Sequence, residues 1–145
     1  MLLLFNTSGD YVNEIDKQLK TLPEYSYKKI AFENEITSVY HLFNLFIHVP
    51  INKHCEAFGQ TYIECLASEI PLIATKSGIG DEILIDNFNS LVVPYQSADA
   101  IYESMIELLV NVALKNYLIQ NSLPSVNKLF SINTMIKKLE TLYLR

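Results

Sequence analysis

Glu56 and Glu64 stand either side of the run Ala57-Phe58-Gly59-Gln60-Thr61-Tyr62-Ile63, which reads as the end of a loop and the opening of a helix. Gly59 has no Cβ, so a ligand can approach the backbone closely at the junction. A helix starting there offers unpaired N–H groups and the positive end of its dipole, a site that suits a diphosphate. At three-to-four spacing, Gln60, Thr61, Glu64 and Ser68 fall on one side of that helix, with Ile63, Leu66, Ala67 and Ile70 on the other, facing a sheet. Glu64 is then about one turn from the anion site, where a carboxylate can accept both hydrogen bonds of a ribose diol. Glu56, ahead of the helix, can accept from hydroxyls on the opposite side of the phosphates. Two glutamates at this spacing, taken alone, describe solvated side chains, with Glu56 merely favouring a helix N-terminus. The elements around them decide whether they form a site.

Those elements alternate. Leu2–Phe5 is a short apolar strand, followed by a helix over about Tyr11–Leu22 that Pro23 ends. Lys29–Phe32 is a weak second strand, Ile36–Phe43 a short helix and Leu45–Val49 a third strand closed by Pro50. The loop Ile51–Gly59 leads into the helix Gln60–Ser68, and Pro71–Thr75 is a fourth strand. After the loop Lys76–Gly80 come a helix over about Asp81–Ile85, a turn at Asp86–Asn89 and a fifth strand, Ser90–Val93. The remainder is helical, over Ala98–Leu109, Val112–Gln120 and Ile132–Leu144, with Ser97 and Ser131 as N-caps and Pro124 separating the last two helices. Strands apolar on both faces that alternate with helices predict an α/β fold, a Rossmann-like three-layer domain with a parallel sheet and a helical C-terminal tail. Ligands of such sheets bind at the carboxyl ends of the strands, which brings forward the loops after Phe5, Val49 and Thr75.

The totals agree with one globular domain over residues 1–145, half of it apolar and 19% charged. The net charge of -5, a single arginine at position 145 and the lack of a dense Lys/Arg run argue against nucleic acid and against a basic membrane-binding helix. No apolar run reaches the roughly 18 residues of a spanning helix. Cys55 and Cys65 have no ligand partners at metal-binding spacing, which points to reduced thiols in the cytosol and to no metal site. Met1-Leu2-Leu3-Leu4-Phe5 is too short for a signal peptide and reads as a strand that begins abruptly, as though sequence ahead of it were absent.

The frame from Leu45 to Pro94 carries a resemblance. Its parts are Leu45-Phe46-Ile47-His48-Val49-Pro50, Glu56-Ala57-Phe58-Gly59, Glu64-Cys65-Leu66-Ala67, Pro71-Leu72-Ile73-Ala74-Thr75, Gly78-Ile79-Gly80-Asp81-Glu82-Ile83 and Asn89-Ser90-Leu91-Val92-Val93-Pro94. In order and spacing they resemble the C-terminal, donor-binding domain of GT-B-type retaining glycosyltransferases of group 1 (family 4), which includes many enzymes of bacterial capsule and lipopolysaccharide synthesis. The resemblance implies a nucleotide-sugar substrate, with a UDP-sugar as the first expectation, and no cofactor or required metal. It implies that Glu56 contacts donor-sugar hydroxyls as the catalytic-site carboxylate and that Glu64 binds the ribose. Backbone amides around Phe58, Gly59, Gln60 and Thr61 would hold the diphosphate and sugar. It implies a cytoplasmic protein, either free or peripheral at the inner face of the membrane.

Departures from the family pattern are visible. Ala57 replaces a glycine, Pro50-Ile51 replaces Pro-Ser, the loop through Asn52-Lys53-His54-Cys55 is longer, Asn44 replaces Asp, and Glu69-Ile70 stands where a glycine precedes Pro71. The family's Arg/Lys pair that clamps the diphosphate has no match, and neither has the N-terminal acceptor domain. Two readings follow: a donor-binding domain inactive without its N-terminal half or a partner chain, or a degenerate, non-catalytic partner subunit. A related epimerase lacks its characteristic residues here. Among the other polar residues, His48 reads as a core histidine, His54 as surface loop and His41 as helix surface. Lys53 and Lys76 flank the cleft, Gly78 and Gly80 form a turn or a close approach, and Glu82 suits a helix start. The segment Asn6–Asp10 stands in place of the family's Gly-rich turn, its role open.

Overall fold

The computed structural model describes residues 1–5 and 7–144; Asn6, part of the turn discussed above, and Arg145 lie outside the described residues. The chain divides into two compact units, residues 1–36 and 37–145.

In the first unit β1 (Leu2–Phe5) pairs in parallel with β2 (Tyr27–Ile30), Leu2 opposite Tyr27 and Phe5 opposite Ile30. Helix α1 (Val12–Leu19) connects them and buries Leu19. The helix ends three residues short of Leu22, where Thr21 Oγ1 donates to the Gln18 carbonyl at 2.7 Å and tightens the turn. Strand β2 lies two residues earlier than the sequence suggests. Phe32, expected inside it, is 78% exposed and has no apolar face to fill, so the pairing with β1 sets the register.

The second unit is built on β3 (Phe46–His48), β4 (Leu72–Ala74) and β5 (Leu91–Val92), all parallel, with β4 central. Side chains alternate across such a sheet, and the two faces feed two separate cores. Phe46, Leu72, Ala74 and Val92 join one cluster with Tyr62, Cys65 and Leu66 of α3 (Gln60–Ala67). Leu45, Ile47, Ile73, Leu91 and Val93 join the other, with Ile101, Met105 and Leu108 of α5 (Ala98–Val110). The parallel sheet is thus covered on both faces, the three-layer α/β arrangement expected, though the strands fall into a two-stranded and a three-stranded sheet. Short helices α2 (Ile36–Tyr40) and α4 (Gly80–Ile83) and the long α6 (Val112–Phe130) and α7 (Ile132–Tyr143) complete the elements.

Two helical expectations need correction. Pro124 does not separate helices: α6 runs through it and ends only at Phe130. Pro124 is exposed, while Leu118, Ser122 and Val126 bury one face on both sides of it. Asn121, Ser122 and Ser125 donate to the carbonyls of Tyr117, Leu118 and Asn121, so the turns around the proline keep bonded backbone. The real break is Ser131, whose side chain caps α7 by accepting from Thr134 N–H, as Ser97 caps α5. The buried side of α3 is also rotated. It is formed by Tyr62, Cys65 and Leu66, whereas Ala67 is exposed and Ile63 half-buried. Tyr62 can be wholly buried because its hydroxyl donates to the Thr75 carbonyl at 2.8 Å. Among the described residues no helix is long and apolar enough to cross a membrane.

Candidate functional site: the carboxyl ends of β3 and β4

The loops that leave β3 and β4 are bonded to each other. Thr75 Oγ1 donates to the Pro50 carbonyl at 2.6 Å, and the Glu56 N–H donates to Ser77 Oγ at 3.0 Å. The Ile79 N–H donates to the Phe58 carbonyl at 2.7 Å and the Gly78 N–H reaches the Lys53 carbonyl at 3.5 Å. The Tyr95 hydroxyl donates to the Lys76 carbonyl. The longer loop through Asn52–Cys55 therefore has a defined seat. Gly78 is required for it: φ is +54°, and a Cβ there would lie 2.6 Å from the Phe58 carbonyl oxygen. Gly59 is required for the helix start, with φ +87° and a Cβ position 2.8 Å from the Tyr62 ring.

Gly59 is the N-cap of α3 and no side chain caps the helix, so the first-turn N–H groups have no side-chain partner among the described residues. Gln60 and Thr61 open the helix beside them, and Phe58 is about half exposed, its ring edge-to-face with Phe130 at 6.3 Å. The end of α6 thus touches the loop that carries the expected ligand contacts.

Each glutamate is held at one or both oxygens. His48 Nε2 is 3.0 Å from Glu56 Oε1. The Tyr40 hydroxyl donates to Glu64 Oε2 at 3.0 Å and Gln60 Nε2 donates to Glu64 Oε1 at 2.9 Å. Each Glu64 oxygen accepts one bond here, and a carboxylate offers about four acceptor positions, so it retains capacity for a diol. Glu56 and Glu64 are both partly buried. Burial raises the phenol pKa of Tyr40 and Tyr62 well above normal, with neighbouring carboxylates adding to it, so both stay protonated donors. Burial lowers the pKa of His48 and Glu56 opposes that only in part, which keeps the imidazole neutral near pH 7. Burial also pushes the Cys65 thiol far up, and its Sγ sits 3.6 Å from the Ile70 carbonyl, a packed and inert side chain.

Every sequence-predicted site residue, Glu56, Phe58, Gly59, Gln60, Thr61 and Glu64, lies on the loop-to-helix unit after β3. Lys53 and Lys76 belong to the two joined loops, through backbone carbonyls. His54 and His41 are exposed as expected. Sequence reasoning missed three residues. His48, read as core, is half-buried and bonded to Glu56; Tyr40 holds Glu64; Tyr62 supports both Gly59 and His48. For His48 the signal was its place near the carboxyl end of the strand read as Leu45–Val49, next to the loop that leads to Glu56.

Residues 9–123 match the sequence model of the family "Glycosyl transferases group 1". The chain belongs to that family. A probable sucrose-phosphate synthase 2 of Craterostigma plantagineum is 30% identical to this glycosyltransferase domain over 131 residues, 86% of the chain and 12% of the synthase. A solved structure of HepE from Anabaena in complex with UDP-glucose superposes with a TM-score of 0.83 at 19% identity, covering 99% of this chain and 40% of HepE. The C-terminal domain of the group 1 family protein LpcC from Francisella tularensis gives a TM-score of 0.72 at 28% identity, over 85% of this chain and 64% of that one. The fold is that of the GT-B glycosyltransferases, and the chain spans well under two thirds of the length of its sequence relative and of HepE.

Proposed function

We propose that this group 1 domain is the donor half of a retaining glycosyltransferase, binding a UDP-sugar whose sugar passes to an acceptor hydroxyl. One observation carries the reading: Glu56, the Gly59 helix start and Glu64 meet at the carboxyl end of β3, in the order a sugar, a diphosphate and a ribose require. The diphosphate lies at the N-terminus of α3, against the N–H groups of Gln60 and Thr61. Glu64, aimed by Tyr40 and Gln60, accepts from the ribose, and Glu56 accepts from a donor-sugar hydroxyl. Bond cleavage leaves negative charge on the diphosphate, so the protein's work is to position donors for that charge. UDP is favoured because HepE was solved with UDP-glucose.

The domain acts with a second lobe that supplies the acceptor site, on the same polypeptide or a partner chain. By itself it binds donor without transferring sugar. The exposed apolar residues Ile132, Met135, Ile136, Leu139 and Leu142 of α7 suit contact with such a lobe. The resemblance to bacterial enzymes supports a role in surface polysaccharide synthesis at the cytoplasmic side of the membrane. A degenerate, non-catalytic partner subunit of a glycosyltransferase is the alternative, favoured by Ala57 in place of glycine, and a site blocked there is expected to bind no nucleotide.

Calorimetric titration with UDP, GDP and ADP separates them. The proposal expects UDP to bind best, and Glu64→Ala to weaken it about tenfold or more, since a hydrogen bond to a charged group contributes about 1.5–3 kcal/mol. No binding by any nucleotide at millimolar concentration contradicts it.

A further inference from the structure

His48 ends β3, and its backbone is fixed by the sheet: it pairs with Ala74, and its carbonyl accepts from the Thr75 N–H at 3.3 Å. Its ring is fixed as well. Tyr62 meets it edge-on at 4.7 Å and Phe46 stacks at 6.5 Å. Tyr62 is itself wholly buried and bonded to the Thr75 carbonyl. Glu56, by contrast, rises from a loop. Its backbone is tied to Ser77, but its carboxylate has one protein partner among the described residues, His48 Nε2. A carboxylate at neutral pH only accepts, so Nε2 carries the proton and donates it to Oε1. The lowered pKa agrees with a single ring proton placed there.

We infer that His48 is a positioning residue of the donor site: through Nε2–H it holds Glu56 Oε1 on a rigid strand, which leaves Oε2 aimed at a hydroxyl of the donor sugar. The inference rests on the reading of Glu56 as the sugar contact. A free glutamate side chain loses about 1.5–2 kcal/mol of rotamer freedom when it is ordered. Here that ordering is done by folding, before any ligand arrives, so less of the sugar's interaction is spent on it. The effect is confined to the sugar. The diphosphate and ribose contacts come from α3, which His48 does not touch through a hydrogen bond.

The test compares UDP with UDP-glucose, UDP-galactose and UDP-N-acetylglucosamine by calorimetry on this chain. The quantity read is how much tighter the best UDP-sugar binds than UDP. His48→Phe keeps the ring stacking and removes the donor; His48→Gln keeps an N–H donor. The expected result is that His48→Phe reduces the sugar-dependent gain about tenfold, as Glu56→Ala does, with UDP affinity within twofold of wild type. His48→Gln retains most of the gain, and His48→Phe combined with Glu56→Ala is no worse than Glu56→Ala alone. If Glu56→Ala abolishes the gain and His48→Phe or, should that variant fail to fold, His48→Ala leaves it intact, the inference is overturned while the donor-site reading stands. If Glu56→Ala leaves the gain intact, or the wild type binds no UDP-sugar more tightly than UDP, the assignment of Glu56 fails and the inference with it.

Discussion

At the scale of single residues, the site consists of flexible acids fixed by rigid rings. Glu56 rests on His48, and Glu64 rests on Tyr40, whose own ring packs against Phe43 and Phe46 at 5.9 and 5.5 Å. This has a consequence in acid. The His48 pKa in the fold lies below the ordinary 6.5, so near that pH the unfolded chain binds more protons than the folded one. Stability is therefore full above 6.5 and falls as pH drops from there toward the lower folded pKa. Urea unfolding followed between pH 7.5 and 5 is expected to show this loss, and His48→Gln to reduce it; equal pH slopes for the two proteins would contradict the assignment. The loop-to-helix unit that carries Glu56, Gly59 and Glu64 was legible in the sequence, because Gly59 and the apolar spacing after it mark a helix start. Their holders were not. The 48–56 and 40–64 contacts cross between elements, and nothing in the local pattern announces which strand-end side chain meets which loop.

At the scale of elements, the loop after β3 is shaped by its partner loop after β4. Four hydrogen bonds join segments 50–58 and 75–79, among them the Phe58 carbonyl with Ile79 N–H and Ser77 Oγ with Glu56 N–H. Gly78 sits where the two chains touch, so Gly78→Ala introduces both a left-handed backbone cost of about 1–2 kcal/mol and a clash with the Phe58 carbonyl. Thermal unfolding is expected to show a loss of about 2 kcal/mol or more, with UDP binding weakened as the loop shifts. A variant as stable as wild type would mean that the loops are not docked in solution. Strand and helix positions were mostly legible from periodicity and caps: Ser97 and Ser131 cap where expected. Pro124 misled because a proline's local signal says nothing of the buried Leu118, Ser122 and Val126 that hold α6 together across it. The buried stripe of α3 differs from the spacing pattern because the Tyr62 hydroxyl is satisfied by the Thr75 carbonyl, which lets that side chain enter the core.

At the scale of the whole molecule, a parallel sheet covered on both faces leaves the carboxyl ends of β3 and β4 as the place where loops converge, and the GT-B likeness follows from that arrangement. The α/β class was legible in the alternation of apolar strands with helices. The division into two compact units was not, because each strand looks the same in sequence whichever sheet it joins. The central claim is that the start of α3 receives the diphosphate of a UDP-sugar, between Glu56 and Glu64. The most direct measurement is a ¹⁵N-resolved NMR titration of the protein with UDP. The account predicts saturable shifts concentrated at the backbone amides of Phe58, Gly59, Gln60, Thr61 and Glu64. Saturable shifts centred elsewhere, with these amides unmoved, would contradict it.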